Sequence, residues 1–195
     1  GTHVALILRR LLRLARHYGA SPQVLAASAT IANAREHAEA LTGLPFEELK
    51  AQVARTEREL LVLLPKPLDR RGERRRSPLL EAAYLARRLA EAGLKGLVFA
   101  GARKSAELIA RYAAHPLVRP YRAGYTARER RRLEADLKEG RVRVLVSTSA
   151  LELGVDIGEL DAVVLVGYPG STAAFWQRAG RAGRGERRAL LVYIP

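Results

Sequence analysis

Cysteine and methionine are absent from the 195 residues, asparagine occurs once, as Asn33, and aromatic side chains make up only 6% of the chain. Without a thiol there is no disulfide and no thiolate zinc site. No apolar run approaches the roughly 20 residues a membrane-spanning helix needs, and no charged-then-apolar leader opens the sequence, so no membrane partner and a cytoplasmic protein are expected. A phosphate-cradling G-x-x-x-x-G-K-[ST] loop is missing as well. Its nearest imitation, Gly101-Ala102-Arg103-Lys104-Ser105, lacks the first glycine and the spacing. Acidic residues fall far short of basic ones, 20 against 34, which leaves a net charge of +14, the footprint of a nucleic-acid binder. An arginine-rich proteome is the competing explanation. Because arginine supplies nearly all of the excess while Asn and Gln are scarce, a heat-adapted source is expected.

What is present suits one full domain with part of a second: the length fits, and a hydrophobic fraction of 48% supports a sizeable core. Residues 4–18 set Leu6, Arg10 and Arg13 on one side and Leu8, Leu11, Leu12 and Ala15 on another, which predicts an amphipathic helix ending at Gly19. Residues 23–27 read as a short buried strand, 33–41 as a helix stopped by Gly43, and 58–64 as a strand ended by Pro65 and Pro67. The run PKPLDRRGERRRS, 65–77, has no apolar periodicity and reads as an exposed linker. From Pro78 the pattern turns regular: helices at 78–92, 104–114, 126–139 and 171–182 are interleaved with apolar strands at 96–100, 118–122, 142–147, 161–166 and 189–194. Such alternation predicts an α/β fold, a parallel sheet covered by helices on both faces.

The stretch hardest to explain as structure alone is QRAGRAGR, Gln177 to Arg184. Two glycines interrupt a helical pattern, each costing roughly 1 kcal/mol against alanine. Arginines at every third position, with glycines that let the backbone come close, suit planar donor forks aimed at phosphate oxygens. The plain alternative is a solvated basic helix end that complements the helix dipole.

QRAGRAGR resembles motif VI of superfamily-two helicases, and Ser147 to Gly158, STSALELGVDIG, resembles their motif V, in the right order and at about the usual distance. Ser28-Ala29-Thr30 matches motif III, and LVFAGARKSAE, Leu97 to Glu107, resembles motif IV. The finer wording, SATIAN after motif III and GYPGS before WQRAGRAGR, is similar to the DNA-repair helicases of the mitomycin-repair-factor type. The cysteine cluster those relatives usually carry is not on this chain. The resemblance implies a RecA-like second lobe of P-loop NTPase type at 78–195, preceded by a basic linker at 61–77 and a C-terminal remnant of the first lobe at 1–60. Walker A and an acidic Walker B, which belong to that first lobe, are absent, so ATP and Mg²⁺ are expected to be held mainly by a missing first lobe, with no metal site here. Self-association of the isolated chain through its uncovered apolar surface is expected.

Residue by residue, the resemblance implies that Arg181 and Arg184 are arginine fingers for the γ-phosphate and that Gln177 orders the nucleotide or its water. For Arg178 the resemblance implies a structural or interdomain part. Gly154 and Asp156 would lie near the nucleotide, although Asp156 alone reads equally as a turn or helix cap. Ser28 and Thr30 would couple nucleotide state to lobe closure, where a lone Ser-Ala-Thr reads better as a cap. For DNA, expected single-stranded, the candidates are Arg103, Lys104 and Ser105 at a helix start, Arg122 and Gly124 in the next such turn, and Ser147 and Thr148 at a strand end. Arg128, Arg130, Arg131 and Arg132 read first as a solvated face. Trp176 is a candidate for stacking on a base, with core or interdomain packing beside Phe175 the commoner use. Ser149 and Ala102 depart from the family pattern, at positions where relatives usually carry Asn and often a further polar side chain.

Two functions fit. The first is a piece of an ATP-dependent DNA helicase, 3′ to 5′ by the resemblance, that does not turn over ATP alone. The second is a non-enzymatic nucleic-acid- or partner-binding module from a split or decayed helicase gene. An RNA helicase is favoured by the fold but not by the wording of motifs V and VI.

Overall fold

The computed structural model describes residues 1–28, 31, 33–49, 57–69, 71, 74–152, 155, 157–183 and 188–195. The chain divides into two compact units, Gly1–Ala54 and Arg55–Pro195.

The first unit packs two helices, α1 (Thr2–His17) and α2 (Ala34–Thr42), against each other. The Arg9 guanidinium crosses between them, Nη2 donating to the Ala40 carbonyl at 2.9 Å. Gly43 closes α2 in the left-handed conformation, φ 73°, which a side chain would strain. Only Leu12 of α1 is buried, while Val4, Leu6, Ile7, Leu11 and Leu14 remain about half exposed or more. The buried strand expected at 23–27 is not formed: those residues are irregular, and Leu25 is 87% exposed. A strand needs a neighbour to complete its hydrogen-bond ladder, and the described residues of this unit contain no strand at all. Val24, Leu25, Ser28 and Ile31 instead border a cavity of about 560 Å³ with Leu8 and Phe46.

Among the described residues the second unit is a six-stranded sheet with four α-helices. Its strands are β1 (Arg58–Val62), β2 (Gly96–Phe99), β3 (Val118–Pro120), β4 (Val144–Ser147), β5 (Ala162–Val166) and β6 (Ala189–Ile194). All neighbours run parallel, in the order β1-β6-β5-β2-β4-β3. The central strands GLVF, VLVS and AVVLV are buried on both faces, which is why they read as unbroken apolar runs rather than alternating ones. One face is covered by α3 (Pro78–Glu91) and α4 (Arg103–Ala113), which bring Ala82, Ala86 and Ile109 onto Val98, Val146 and Val164. The other is covered by α5 (Ala127–Lys138) and α6 (Thr172–Ala179), which set Leu137 and Ala179 against Leu97, Leu145 and Val163.

Local chemistry fixes the helix starts. Pro78 occupies the first turn of α3, where its missing N–H costs nothing. Thr126 caps α5 reciprocally with Glu129: the hydroxyl accepts from the Glu129 N–H, and the carboxylate accepts from the Thr126 N–H at 2.8 Å. The Thr126 hydroxyl also donates to that carboxylate at 2.8 Å, and this bond first, with the backbone one second, holds the Glu129 carboxyl below its ordinary range.

Element ends shift by a few residues from those expected in the sequence reading, and two differences bear on the site. β1, divided between the leading remnant and the linker by that reading, pairs in register with β6 and is the edge strand of the large sheet. The basic stretch after it is folded back on itself, Leu68 N–H donating to Arg74 O and Arg76 N–H to Lys66 O around a Pro67–Arg75 bridge. α6 ends at Ala179 rather than 182, because Gly180 starts a tighter turn in which Arg181 N–H donates to Arg178 O and Ala182 N–H to Ala179 O. Gly183 follows at φ 68°, where an added Cβ would stand 3.0 Å from the Ala189 Cβ of β6. Close packing against the sheet therefore accounts for this glycine.

Candidate functional site

Parallel strands place all their carboxyl ends at one edge of the sheet, and the chemistry-bearing loops leave from there. Register sets Phe99 of β2 beside Ser147 of β4 and Leu165 of β5. The chain continues from Phe99 into Gly101 and α4, from Pro120 into the turn before α5, and from Ser147 into a short 3₁₀ turn, Ser149–Leu151.

Arg103 and Lys104 open α4, both exposed and without an ion-pair partner among the described residues; Ser105 is half-buried beside them. The preceding residue, Ala102, offers no side-chain cap, so the first backbone N–H groups of the helix are left for water or an external acceptor. Arg122 is held over the Tyr125 ring, 5.1 Å from its centroid, and pairs with Glu107 of α4 at 3.0 Å. Gly101 and Gly124 are exposed, neither has positive φ, and an added Cβ at either would meet nothing within 4 Å. Nothing among the described residues requires glycine at these two places. Thr148 is half-buried, whereas Ser147 is fully buried, and its hydroxyl has no hydrogen-bond partner among the described residues. The surface phosphate contact expected of Ser147 is thus not available to it in this conformation.

The arginines after α6 are disposed differently from open fingers. Arg181 is buried, 4% exposed. Its guanidinium donates from Nε and Nη2 to the Glu152 carbonyl, at 3.1 and 2.7 Å, and from Nη1 to the Val155 carbonyl at 2.6 Å. Arg178 pairs with the Glu152 carboxylate at 3.0 Å, with both side chains largely enclosed, and stacks over the Phe99 ring at 5.5 Å. Gln177 is half-buried on α6. Trp176 is 49% exposed and meets Phe175 edge to face at 5.3 Å, and Phe175 does the same with Tyr193.

Arg103, Lys104, Ser105, Arg122, Gly124 and Thr148 therefore gather at the loops of one sheet edge. Arg178 and Arg181 meet Glu152 where α6 faces the turn after β4, and Gln177 precedes them on α6. Ser28 is exposed in the first unit and in no strand. Thr30, Gly154, Asp156 and Arg184 lie outside the described residues. Glu152 escaped the sequence reading although it contacts two of the three arginines. The available signal was an acid flanked by apolar residues in ALELG, facing a run rich in arginine. Among the described residues no cluster of His, Asp and Glu could hold a metal ion, and no helix is long and apolar enough to cross a membrane.

A parallel sheet in this order, with helices on both faces and arginine-bearing loops at its carboxyl edge, is the second lobe of a RecA-like P-loop NTPase fold. Over residues 79–186 the sequence matches the helicase conserved C-terminal domain, and the chain belongs to that family. It is 40% identical to the uncharacterized ATP-dependent helicase YprA of Bacillus subtilis, over 100% of this chain and 27% of that protein. Among solved structures it is similar to the DUF1998 helicase MrfA bound to DNA and AMPPNP, with TM-score 0.87 and 39% identity over 100% of this chain and 28% of that one. The Mycobacterium smegmatis helicase Lhr bound to ssDNA and AMP-PNP matches with TM-score 0.79 and 32% identity, over 99% of this chain and 26% of that one. The chain thus spans about a quarter of the length of these relatives.

Proposed function

We propose that this chain is the second motor lobe of an ATP-dependent DNA helicase, with a leading unit, Gly1–Ala54, that ends the first lobe. The observation that carries the reading is the gathering of Arg103, Lys104, Arg122 and Thr148, with two sterically unconstrained glycines, on the loops at the carboxyl edge of one parallel sheet. Uncapped backbone donors at the start of α4 and exposed cations beside them suit the phosphates of a single strand, and glycine lets a backbone approach closely. DNA and a non-hydrolysable nucleotide are present in the MrfA and Lhr structures that this chain is similar to, which supports the same ligands here.

In the working enzyme ATP and Mg²⁺ are held mainly by the first lobe. This chain contributes Gln177 to order the nucleotide or its water, Gly154 and Asp156 beside it, and Arg181 and Arg184 as fingers for the charge that develops on the transferring phosphoryl group. Such a finger is worth about 10³–10⁵ in rate. Arg181 begins from its seat on the Glu152 and Val155 carbonyls, so its use on phosphate requires that seat to open when the lobes close. Ser28 and Thr30 couple that closure to nucleotide state. Likeness to the mitomycin-repair-factor type implies 3′ to 5′ movement and a role in DNA repair.

The test is to supply the first lobe of a relative such as YprA, in trans or fused ahead of residue 1. DNA-stimulated ATPase that neither part shows alone supports the motor. Lasting inactivity together with salt-sensitive DNA binding supports a binding module instead.

A further inference from the structure

Glu152 sits at the meeting point of three elements. The 3₁₀ turn that begins at Ser149 delivers it, with its own N–H donating to Ser149 O at 3.0 Å. Its carboxylate holds Arg178 of α6, and the same guanidinium lies over Phe99, the last residue of β2. Its carbonyl accepts two hydrogen bonds from the Arg181 guanidinium. One residue thus carries contacts to both arginines, while Thr148, four positions upstream, stands at the loop edge assigned to DNA.

We propose that Glu152 is a positioning residue for the arginines of the QRAGRAGR segment, seating Arg178 through its carboxylate and Arg181 through its carbonyl. The assignment rests on the reading that Arg181 acts on nucleotide. A largely enclosed carboxylate and guanidinium cannot separate cheaply, because each would be left desolvated and unpaired. A displacement of the turn at 149–152 therefore moves Arg178 with it and shifts the carbonyl on which Arg181 rests. The turn that leaves the DNA-facing edge and the arginine read as a nucleotide finger are joined through Glu152, so contact at the first changes the seat of the second. Glu152 touches neither DNA nor nucleotide in this scheme.

The seating is tested on the chain itself by proton–nitrogen NMR of the arginine Nε–H groups. Wild type should show slowly exchanging Nε signals for Arg178 and Arg181. Glu152→Ala should abolish the protected Arg178 signal and also speed exchange at Arg181, although the carbonyl that accepts from Arg181 is still present; Glu152→Gln, which keeps an acceptor oxygen, should restore much of both. An Arg181 signal unchanged in Glu152→Ala overturns the proposal.

The consequence is tested in the chain joined to a first lobe. Glu152→Ala should lower kcat of DNA-stimulated ATPase about tenfold, the size of a typical coupling in such a network, with KM for ATP and DNA affinity within twofold. Adding Arg178→Ala to that variant should cost no more than the worse single change. Losses that multiply, or that fall on KM and DNA affinity equally, overturn it. Should Glu152→Ala fail to fold, Glu152→Gln decides by whether rate follows seating: kcat that is kept or lost together with the protection of the Arg178 and Arg181 signals supports the proposal, and kcat that falls while both stay protected, or stays while both are lost, overturns it. If the wild-type two-lobed protein shows no DNA-stimulated ATPase, the motor reading fails, and the NMR result still decides the seating.

Discussion

Replacing Arg181 by alanine should destabilise the second unit strongly, although surface arginines of this chain should be replaceable at little cost. The side chain is buried and donates three hydrogen bonds to two carbonyls, those of Glu152 and Val155. A hydrogen bond from a charged donor contributes about 1.5–3 kcal/mol, and a buried acceptor left without a partner costs about 1–3 kcal/mol. Because the two bonds to Glu152 share one acceptor, the contributions do not add fully, and a net loss of about 3–5 kcal/mol follows for the two carbonyls together. For a domain of this size 1 kcal/mol moves Tm by about 2–4 °C, so the melting transition of the sheet should fall by about 10 °C. Arg181→Lys offers one ammonium for two carbonyls and should recover about half of the loss. Arg103→Ala, at an exposed cation, should stay within about 0.5 kcal/mol of wild type. The assay is thermal unfolding followed by circular dichroism, without nucleotide. An Arg181→Ala transition within about 3 °C of wild type would refute the reasoning and mean that the carbonyl seat contributes little to stability.

Three further outcomes follow from single positions. Gly183→Ala combines left-handed backbone at φ 68° with a contact at 3.0 Å to Ala189 and should cost about 2–4 kcal/mol in denaturant unfolding. Thr126→Ala removes the cap of α5 and should cost about 1 kcal/mol, read in the same experiment. Burial, then the hydrogen bond its hydroxyl donates to Glu134 and the charge of that carboxylate, push the Tyr121 phenol up to about 12 from 10.0. A folded-state value above the unfolded one gives stability that is complete below pH 10.0 and lost as pH rises through about 12. The Tm gap between wild type and Tyr121→Phe should therefore narrow across that interval, and a gap independent of pH would contradict the assignment.

The central fold was legible because strands covered on both faces must be apolar throughout: GLVF, VLVS and AVVLV announce themselves, and amphipathic helices between them imply parallel pairing. Partnership was less legible. Residues 58–62 read as a strand, but their neighbour is β6, more than a hundred residues away, and no local pattern carries that register. Residues 23–27 have strand composition and, among the described residues of their unit, no strand to pair with. At the site, spacing identified QRAGRAGR as a donor array without revealing which way each donor points. The inward turn of Arg181 depends on where the Glu152 and Val155 carbonyls fall, a property of the fold rather than of residue types. Gly183 was read as making room for phosphate, and its conformation and contact with β6 supply a sufficient structural cause.

The claim that the carboxyl edge of the sheet is a DNA surface is tested most directly by single-stranded DNA binding across a salt series, with Arg103→Ala beside Arg141→Ala. Arg141 is as exposed and as cationic but precedes β4, at the opposite end of the strands, where it pairs with Asp136. The account predicts affinity that falls steeply with salt, a weaker Kd and a slope reduced by about 1 for Arg103→Ala, and wild-type behaviour for Arg141→Ala. Equal losses from the two substitutions, or no binding at low salt, would contradict it.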